Sequence, residues 1–92
     1  MICCARLELH NANWSDYDNL HRAMTASGFS RTIASDTGVT YQLPTGEYYY
    51  SGIANLNGVF ELARAAASST GRSFSLILSE GTRIQWVGLQ SA

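Results

Sequence analysis

The spacing of apolar residues along the chain constrains the fold more than any other feature of the sequence. Apolar and polar residues alternate over residues 2–10, 29–34, 39–43 and 73–79, which is the period of half-buried strands, and residues 47–51 form a tyrosine-rich segment typical of a strand. Between these runs the apolar residues recur three or four positions apart, first from Tyr17 to Met24 and then from Val59 to Ala66, as on one face of a helix. The sequence therefore predicts the order strand, helix, hairpin, helix, strand.

Capping and turn residues separate these segments. A side-chain acceptor just before each helical run can cap the free backbone N–H groups of a helix, and an acid three positions later strengthens that signal. The candidate caps are Asn13 or Ser15 for the first helix and Asn55 or Asn57 for the second. Gly28 and Gly71 stand where the helices are expected to end. Pro44 interrupts the hairpin, because proline cannot donate to a ladder, so we expect a bent or broken hairpin.

The predicted order of elements is that of a ferredoxin-like α+β domain, β-α-β-β-α-β, with an antiparallel sheet and two helices on one face. We expect one domain over residues 1–92, with its core at about 2–79. Residues 82–89 carry several apolar side chains beyond that core and are predicted to form a docking tail or an extra strand. A partner subunit is one surface on which this tail could dock. The sheet face without helices should present Cys4, Arg6, Glu8, His10, Ser75, Ile77 and Ser79.

Charge and cysteine content limit the partners and the compartment. The chain has 6 basic residues, all arginine, against 7 acidic ones, so it has no general attraction for phosphate backbones and any nucleic-acid site must be local. Cys3 and Cys4 are adjacent, hence they point to opposite faces of a strand and are poorly placed to bridge each other. We interpret them as free thiols of a cytoplasmic protein. We expect no signal peptide, no membrane span and no membrane partner.

Several catalytic motifs are missing from the sequence. It has no glycine-rich phosphate loop, no Cys/His spacing typical of zinc and no Gly-x-Ser-x-Gly elbow. These absences argue against nucleotide hydrolysis and zinc chemistry. We therefore expect no metal site and no small-molecule cofactor.

One stretch of the chain resembles a known family. Phe29-Ser30, Ile33, Asp36, Gly38 and Gln42-Leu43 look like the same region of the GhoS-like type V antitoxins, and the strands and helices on either side follow the same layout. The resemblance implies a small ferredoxin-like endoribonuclease that acts on RNA. Those relatives commonly carry an aspartate at the end of the first strand, where this chain has His10. Because magnesium prefers oxygen ligands, this departure argues against metal-dependent cleavage.

The candidate site follows from the resemblance and from the polar face of the first strand. His10 could take the proton of a ribose 2′-hydroxyl while an arginine stabilises charge on the phosphate. The predicted catalytic residues are His10, Arg31 and Glu8, and the predicted nucleic-acid-binding residues are Arg6, Arg31, Arg83 and Tyr49. A half-exposed strand shows the same alternation of polar residues without any catalysis, and strand packing explains the tyrosines equally well. We interpret His21 as a surface or half-buried residue, and Trp14 and Trp86 as packing anchors.

Two functional hypotheses remain open on the sequence. The first is a homodimeric protein that binds or cleaves single-stranded RNA, as the resemblance implies. The second is a non-catalytic dimeric protein-interaction domain, favoured by the near-neutral charge and by an open sheet face that carries tyrosine and isoleucine.

Overall fold

The computed structural model describes residues 1–81 and 83–92. Its elements, in chain order, are β1 (Ile2–Leu9), α1 (Trp14–Ala26), β2 (Thr32–Ala34), β3 (Thr40–Gln42), β4 (Glu47–Ser51), α2 (Leu56–Ser68) and β5 (Phe74–Gly81). This confirms the predicted ferredoxin-like α+β order. Each helix has 13 residues, and no helix among the described residues is long and apolar enough to cross a bilayer.

The central sheet is antiparallel, with the strand order β4-β1-β5. The segment before β2 adds a fourth position beside β4 through one residue pair, in which the Ser30 N–H donates to the Tyr49 carbonyl at 2.7 Å and the Tyr49 N–H donates back at 2.8 Å. The resulting order, β5-β1-β4-β2, keeps the first and last strands side by side, as a ferredoxin-like fold requires.

The second strand is shorter than the alternation over 29–34 predicts. The Ser30 hydroxyl accepts from the Thr32 N–H at 3.0 Å and donates to the Thr32 carbonyl at 3.1 Å, so that the backbone bends at Arg31. Local bonds of this kind compete with the strand ladder. As a result, β2 leaves the central sheet and pairs with β3 as a separate two-stranded ribbon. The return leg is interrupted around Pro44, between β3 and β4, which confirms the expected broken hairpin.

The core lies between one sheet face and the two helices. Its buried side chains are Cys3, Ala5, Leu7 and Leu9 of β1, Leu20 and Met24 of α1, Val59, Ala63, Ala66 and Ala67 of α2, together with Phe29 and Tyr48. Two expectations were wrong. Leu62 belongs to the predicted apolar stripe of α2 yet is 39% exposed, because the helix presents its small alanines to the sheet. Trp14 is 76% exposed and is therefore not the packing anchor that the sequence predicts.

The start of each helix follows the capping signals. Asn13 caps α1 through a reciprocal capping box with Asp16, and Asn55 caps α2 by accepting from the Gly58 N–H at 2.8 Å. Asp16 also accepts from the Arg72 guanidinium at 2.9 Å, which links the start of α1 to the loop before β5.

The C-terminal tail docks on β3 of its own chain. The Gln42 N–H donates to the Gln90 carbonyl and the Ala92 N–H donates to the Thr40 carbonyl, both at 2.9 Å. Trp86 packs edge-on against Tyr41, with ring centroids 5.6 Å apart, so Trp86 is the packing anchor that the sequence predicts. Over residues 83–92 the pairing amounts to one bridge rather than an extra strand, and Thr82, the first residue of the predicted tail, lies outside the described residues.

Candidate functional site on the uncovered sheet face

The helices leave one face of the sheet without cover, and this uncovered face gathers most of the residues predicted to act. It comprises Cys4, Arg6, Glu8 and His10 from β1 and the residue after it, Glu47 and Tyr49 from β4, and Ser75, Ile77 and Ser79 from β5. The strand register places Arg6 between Glu47 and Ile77, and it places Glu8 beside Ser75. The three polar residues of the first strand therefore lie in one row, as predicted.

His10 is held by two serines at the end of β5. Its Nδ1 atom lies 3.2 Å from the Ser73 hydroxyl and its Nε2 atom 2.9 Å from the Ser75 hydroxyl, while its backbone N–H donates to the Ser73 carbonyl at 2.9 Å. A neutral imidazole donates through one nitrogen and accepts through the other, and a hydroxyl can do either, so both contacts are satisfied. Neither serine is among the predicted site residues, although alternating serines opposite the end of β1 are a readable signal.

Spacing along the strand decides which groups can act together. Glu8 and His10 are two residues apart on the same side, which is about 6.6 Å at the usual rise of a strand. This separation lets both side chains reach one ribose-phosphate linkage. Arg6 is four residues from His10, about 13 Å by the same rise, and its Nε atom lies 3.9 Å from a carboxylate oxygen of Glu47. Arg6 is thus better placed for a neighbouring phosphate than for one held at His10.

Arg31 is not part of this group. It lies at the bend between Ser30 and β2, and its positive charge helps to lower the pKa of His21, a residue on the helix-covered side of the sheet. The predicted grouping of Arg31 with His10 is therefore not found: Ser30 pairs with Tyr49 of the uncovered face, so Arg31, the next residue, falls on the other side together with the buried Phe29. Alternation already places Arg31 on the same side as Phe29 and Ile33, which are both buried, so this separation could have been predicted from the sequence.

A polar pair lies on the covered side beside Arg31. Tyr48 is fully buried, and burial raises the pKa of its hydroxyl, so the hydroxyl keeps its proton; it is hydrogen bonded to Nδ1 of His21, with the two atoms 2.6 Å apart. Desolvation is the first cause that lowers the pKa of His21, followed by the charge of Arg31. This pair satisfies a buried hydroxyl inside the core, and we assign it a structural role.

A groove runs between the tail and the other end of the uncovered face. It has a volume of about 1020 Å³, and its lining includes Ile2, Tyr49, Arg83 and Trp86. Arg83 and Tyr49, both predicted to bind nucleic acid, therefore share one groove. Tyr49 pairs with Cys4, six residues before His10, so the groove and His10 lie about 20 Å apart along the strand direction.

Among the described residues, the cysteines and the acidic side chains form no metal centre. Cys3 is buried and Cys4 is half-buried, both are free, and burial is the main cause that raises the pKa of each thiol. Raised pKa values keep the thiols protonated and poor as nucleophiles or metal ligands. Within residues 1–81 and 83–92, no group of three or more histidine, cysteine, aspartate or glutamate side chains could hold a metal ion.

Comparisons with protein families and curated proteins assign no role to these residues. No protein-family model matches the chain, and no curated protein matches it significantly.

Proposed function

We propose that this chain is a small RNA-handling protein of the GhoS-like antitoxin kind, which acts as a dimer and binds single-stranded RNA on its uncovered sheet face. The supporting observation is the row of Arg6, Glu8 and His10 beside Tyr49 on a face that no helix covers. Sheet aromatics that stack on unpaired bases, with arginines on the neighbouring phosphates, form a common mode of single-strand recognition. The free thiols fit a protein of the cytoplasm, where we place it.

Binding rests on a few local contacts. Arg6 has a side chain that is 77% exposed, and Arg83 is exposed at the edge of the groove, so both guanidinium groups can reach phosphates. With two phosphate contacts, the logarithm of the binding constant should fall with the logarithm of salt concentration with a slope of about −1.4. This shallow dependence agrees with a net charge of −1, which adds no long-range attraction.

Cleavage, as part of the same proposal, needs no metal. His10 takes the proton of a ribose 2′-hydroxyl, the 2′-oxygen forms a bond to phosphorus, and the bond from phosphorus to the 5′-oxygen breaks. The 5′-oxygen takes a proton from water, and the products are a 2′,3′-cyclic phosphate and a 5′-hydroxyl. Glu8 faces the same ribose-phosphate linkage from two residues before His10, while Arg31 lies on the covered side and does not stabilise the phosphate. The reaction should therefore be slow, and binding is the better supported half of the proposal.

The experiment is an incubation of the pure protein with end-labelled single-stranded RNA, in magnesium and in a chelator. We expect binding at micromolar protein and slow cleavage in both buffers. His10→Ala should abolish cleavage and keep binding, whereas Arg6→Ala should weaken binding several-fold. Arg22→Ala is the matched control, because Arg22 is exposed on α1 and contacts only Asn19 of its own helix among the described residues. Absence of binding, or cleavage that survives His10→Ala, would contradict the proposal.

A second candidate function is a non-catalytic dimeric interaction domain. The observation that favours it is Ile77, which lies in the middle of the uncovered face and is 65% exposed. In that case the same RNA experiment gives neither binding nor cleavage, while light scattering shows a dimer.

A further inference from the structure

The strand β5 has a free edge along its whole length. It pairs with β1 through all eight of its residues, and no other strand or loop among residues 1–81 and 83–92 is hydrogen bonded to its other side. The opposite end of the molecule differs, because the tail is hydrogen bonded to β3 there. The protein thus covers one edge with its own chain and leaves the longer one open.

The ladder determines which backbone groups this edge presents. The His10 N–H donates to the Ser73 carbonyl, so Ser73 and every second residue after it direct their backbone groups towards β1. The intervening residues direct their N–H and carbonyl groups outwards. These are Phe74, Leu76, Leu78 and Glu80.

This edge has few of the features that usually keep edge strands from pairing. It contains no proline and no lysine, and its register with β1 is continuous, without a bulge. Its one charged residue is Glu80, near the end. Long edges without such protection are templates for strand pairing with another chain.

We propose that two copies of this chain pair through β5, antiparallel, about a two-fold axis that passes between their Ile77 residues. In this register Leu76 lies opposite Leu78 of the second copy and Phe74 lies opposite Glu80, so all four outward residues are paired and form about eight backbone hydrogen bonds. If the axis passed through Leu76 or Leu78 instead, only three of the four outward residues would have a partner within β5 of the second copy. An axis at Glu80 sets two carboxylates against each other, which is unfavourable.

The pairing also explains the exposed Ile77. On the axis the two Ile77 residues form a non-hydrogen-bonded pair with Cα atoms about 4.5 Å apart, so their side chains cover each other. Because this two-fold axis is perpendicular to the sheet, both uncovered faces point the same way and join into one surface. The two His10 residues lie roughly 30 Å apart on it. The pairing depends only on the edge of β5 and not on RNA handling.

Disulfide cross-linking tests both the pairing and its register. In a Cys4→Ser background, Ile77→Cys should form a covalent dimer on mild oxidation, because the two thiols meet at the axis. Ser79→Cys is the matched control on the same strand and face: its two copies are about 14 Å apart in the proposed register, too far for a disulfide. Equal cross-linking of both variants, or of Ser79→Cys alone, overturns the register.

Light scattering tests the pairing without introducing a thiol. The unsubstituted protein should be dimeric at high micromolar concentration, and Ile77→Lys should be monomeric because two ammonium groups would meet at the axis. Ile53→Lys, at a fully exposed position away from β5, should stay dimeric. A monomer up to millimolar concentration, or no cross-linking of Ile77→Cys, overturns the proposal. Either result is independent of the RNA experiment: a monomer removes the dimer from the proposed function, and RNA binding is still decided by that experiment.

Discussion

Replacement of Gly46 by alanine should destabilise the protein more than the same replacement at any other glycine with a positive φ. Gly46 has φ of +90° and directly precedes β4, where its carbonyl accepts from the Leu7 N–H at 2.8 Å. A Cβ atom at this position would lie 2.5 Å from the Leu7 carbonyl oxygen. Since that oxygen belongs to the backbone of the central strand, one of the two strands must shift.

The magnitude can be worked out by comparison with Gly38. Gly38 has φ of +87°, and a Cβ atom added there would have no neighbouring atom within 4 Å, so Gly38→Ala carries only the conformational cost, about 1–2 kcal/mol. Gly46→Ala carries the same cost and in addition weakens the bond to Leu7, worth about 1 kcal/mol, and displaces the backbone. The sum is about 2–4 kcal/mol, a large part of the roughly 5–14 kcal/mol expected for a chain of this length.

Thermal and urea unfolding of the two variants measures this difference. At about 4–8 °C per kcal/mol, Gly46→Ala should lower Tm by roughly 8–32 °C and clearly more than Gly38→Ala does. Equal losses for the two variants would refute the reasoning, because they would mean that the close approach of β4 to β1 at Leu7 adds nothing to the cost.

Three further predictions concern the polar contacts. Tyr48→Phe removes a buried hydroxyl and leaves Nδ1 of His21 without its hydrogen-bond partner, and we expect urea unfolding to report a loss of about 1–2 kcal/mol; an unchanged midpoint would contradict it. The pKa of His21 is lowered in the folded state, so the unfolded state takes up the proton first, and the free energy of unfolding should fall as pH drops below the ordinary value of 6.5. Urea unfolding at several pH values measures this. A rise in stability over that range would contradict the assignment. Arg72→Ala breaks a partly exposed ion pair with Asp16 and should cost about 0.5–1 kcal/mol, less in high salt, which a salt series of unfolding curves measures.

Much of the fold could be predicted because each signal is local. The capping pairs at Asn13 and Asn55 depend on residues three positions apart, and the alternation in β1 depends on one strand. Both were therefore confirmed, together with the division of the first strand into Cys3, Ala5, Leu7 and Leu9 on the covered side and Arg6 and Glu8 on the uncovered side.

Features that depend on packing were harder to predict. Leu62 has the right spacing for the core, yet α2 approaches the sheet through alanines, and helix periodicity alone does not select between neighbouring faces. The short length of β2 depends on the bend made by the Ser30 hydroxyl, which alternation does not show. The separation of Arg31 from His10, in contrast, could have been predicted, since Arg31 alternates with Ser30 and shares a side with the buried Phe29. The contacts of His10 with Ser73 and Ser75 join residues more than 60 positions apart, which only the register of β1 with β5 brings together.

An NMR titration of isotopically labelled protein with a short single-stranded RNA tests the central claim most directly. If the uncovered face binds RNA, the backbone resonances of Arg6, Glu8, His10 and Tyr49 should shift together and saturate, while those on the outer surface of α1 and α2 stay in place. Shifts confined to the helices, or none at micromolar to millimolar RNA, would contradict the account.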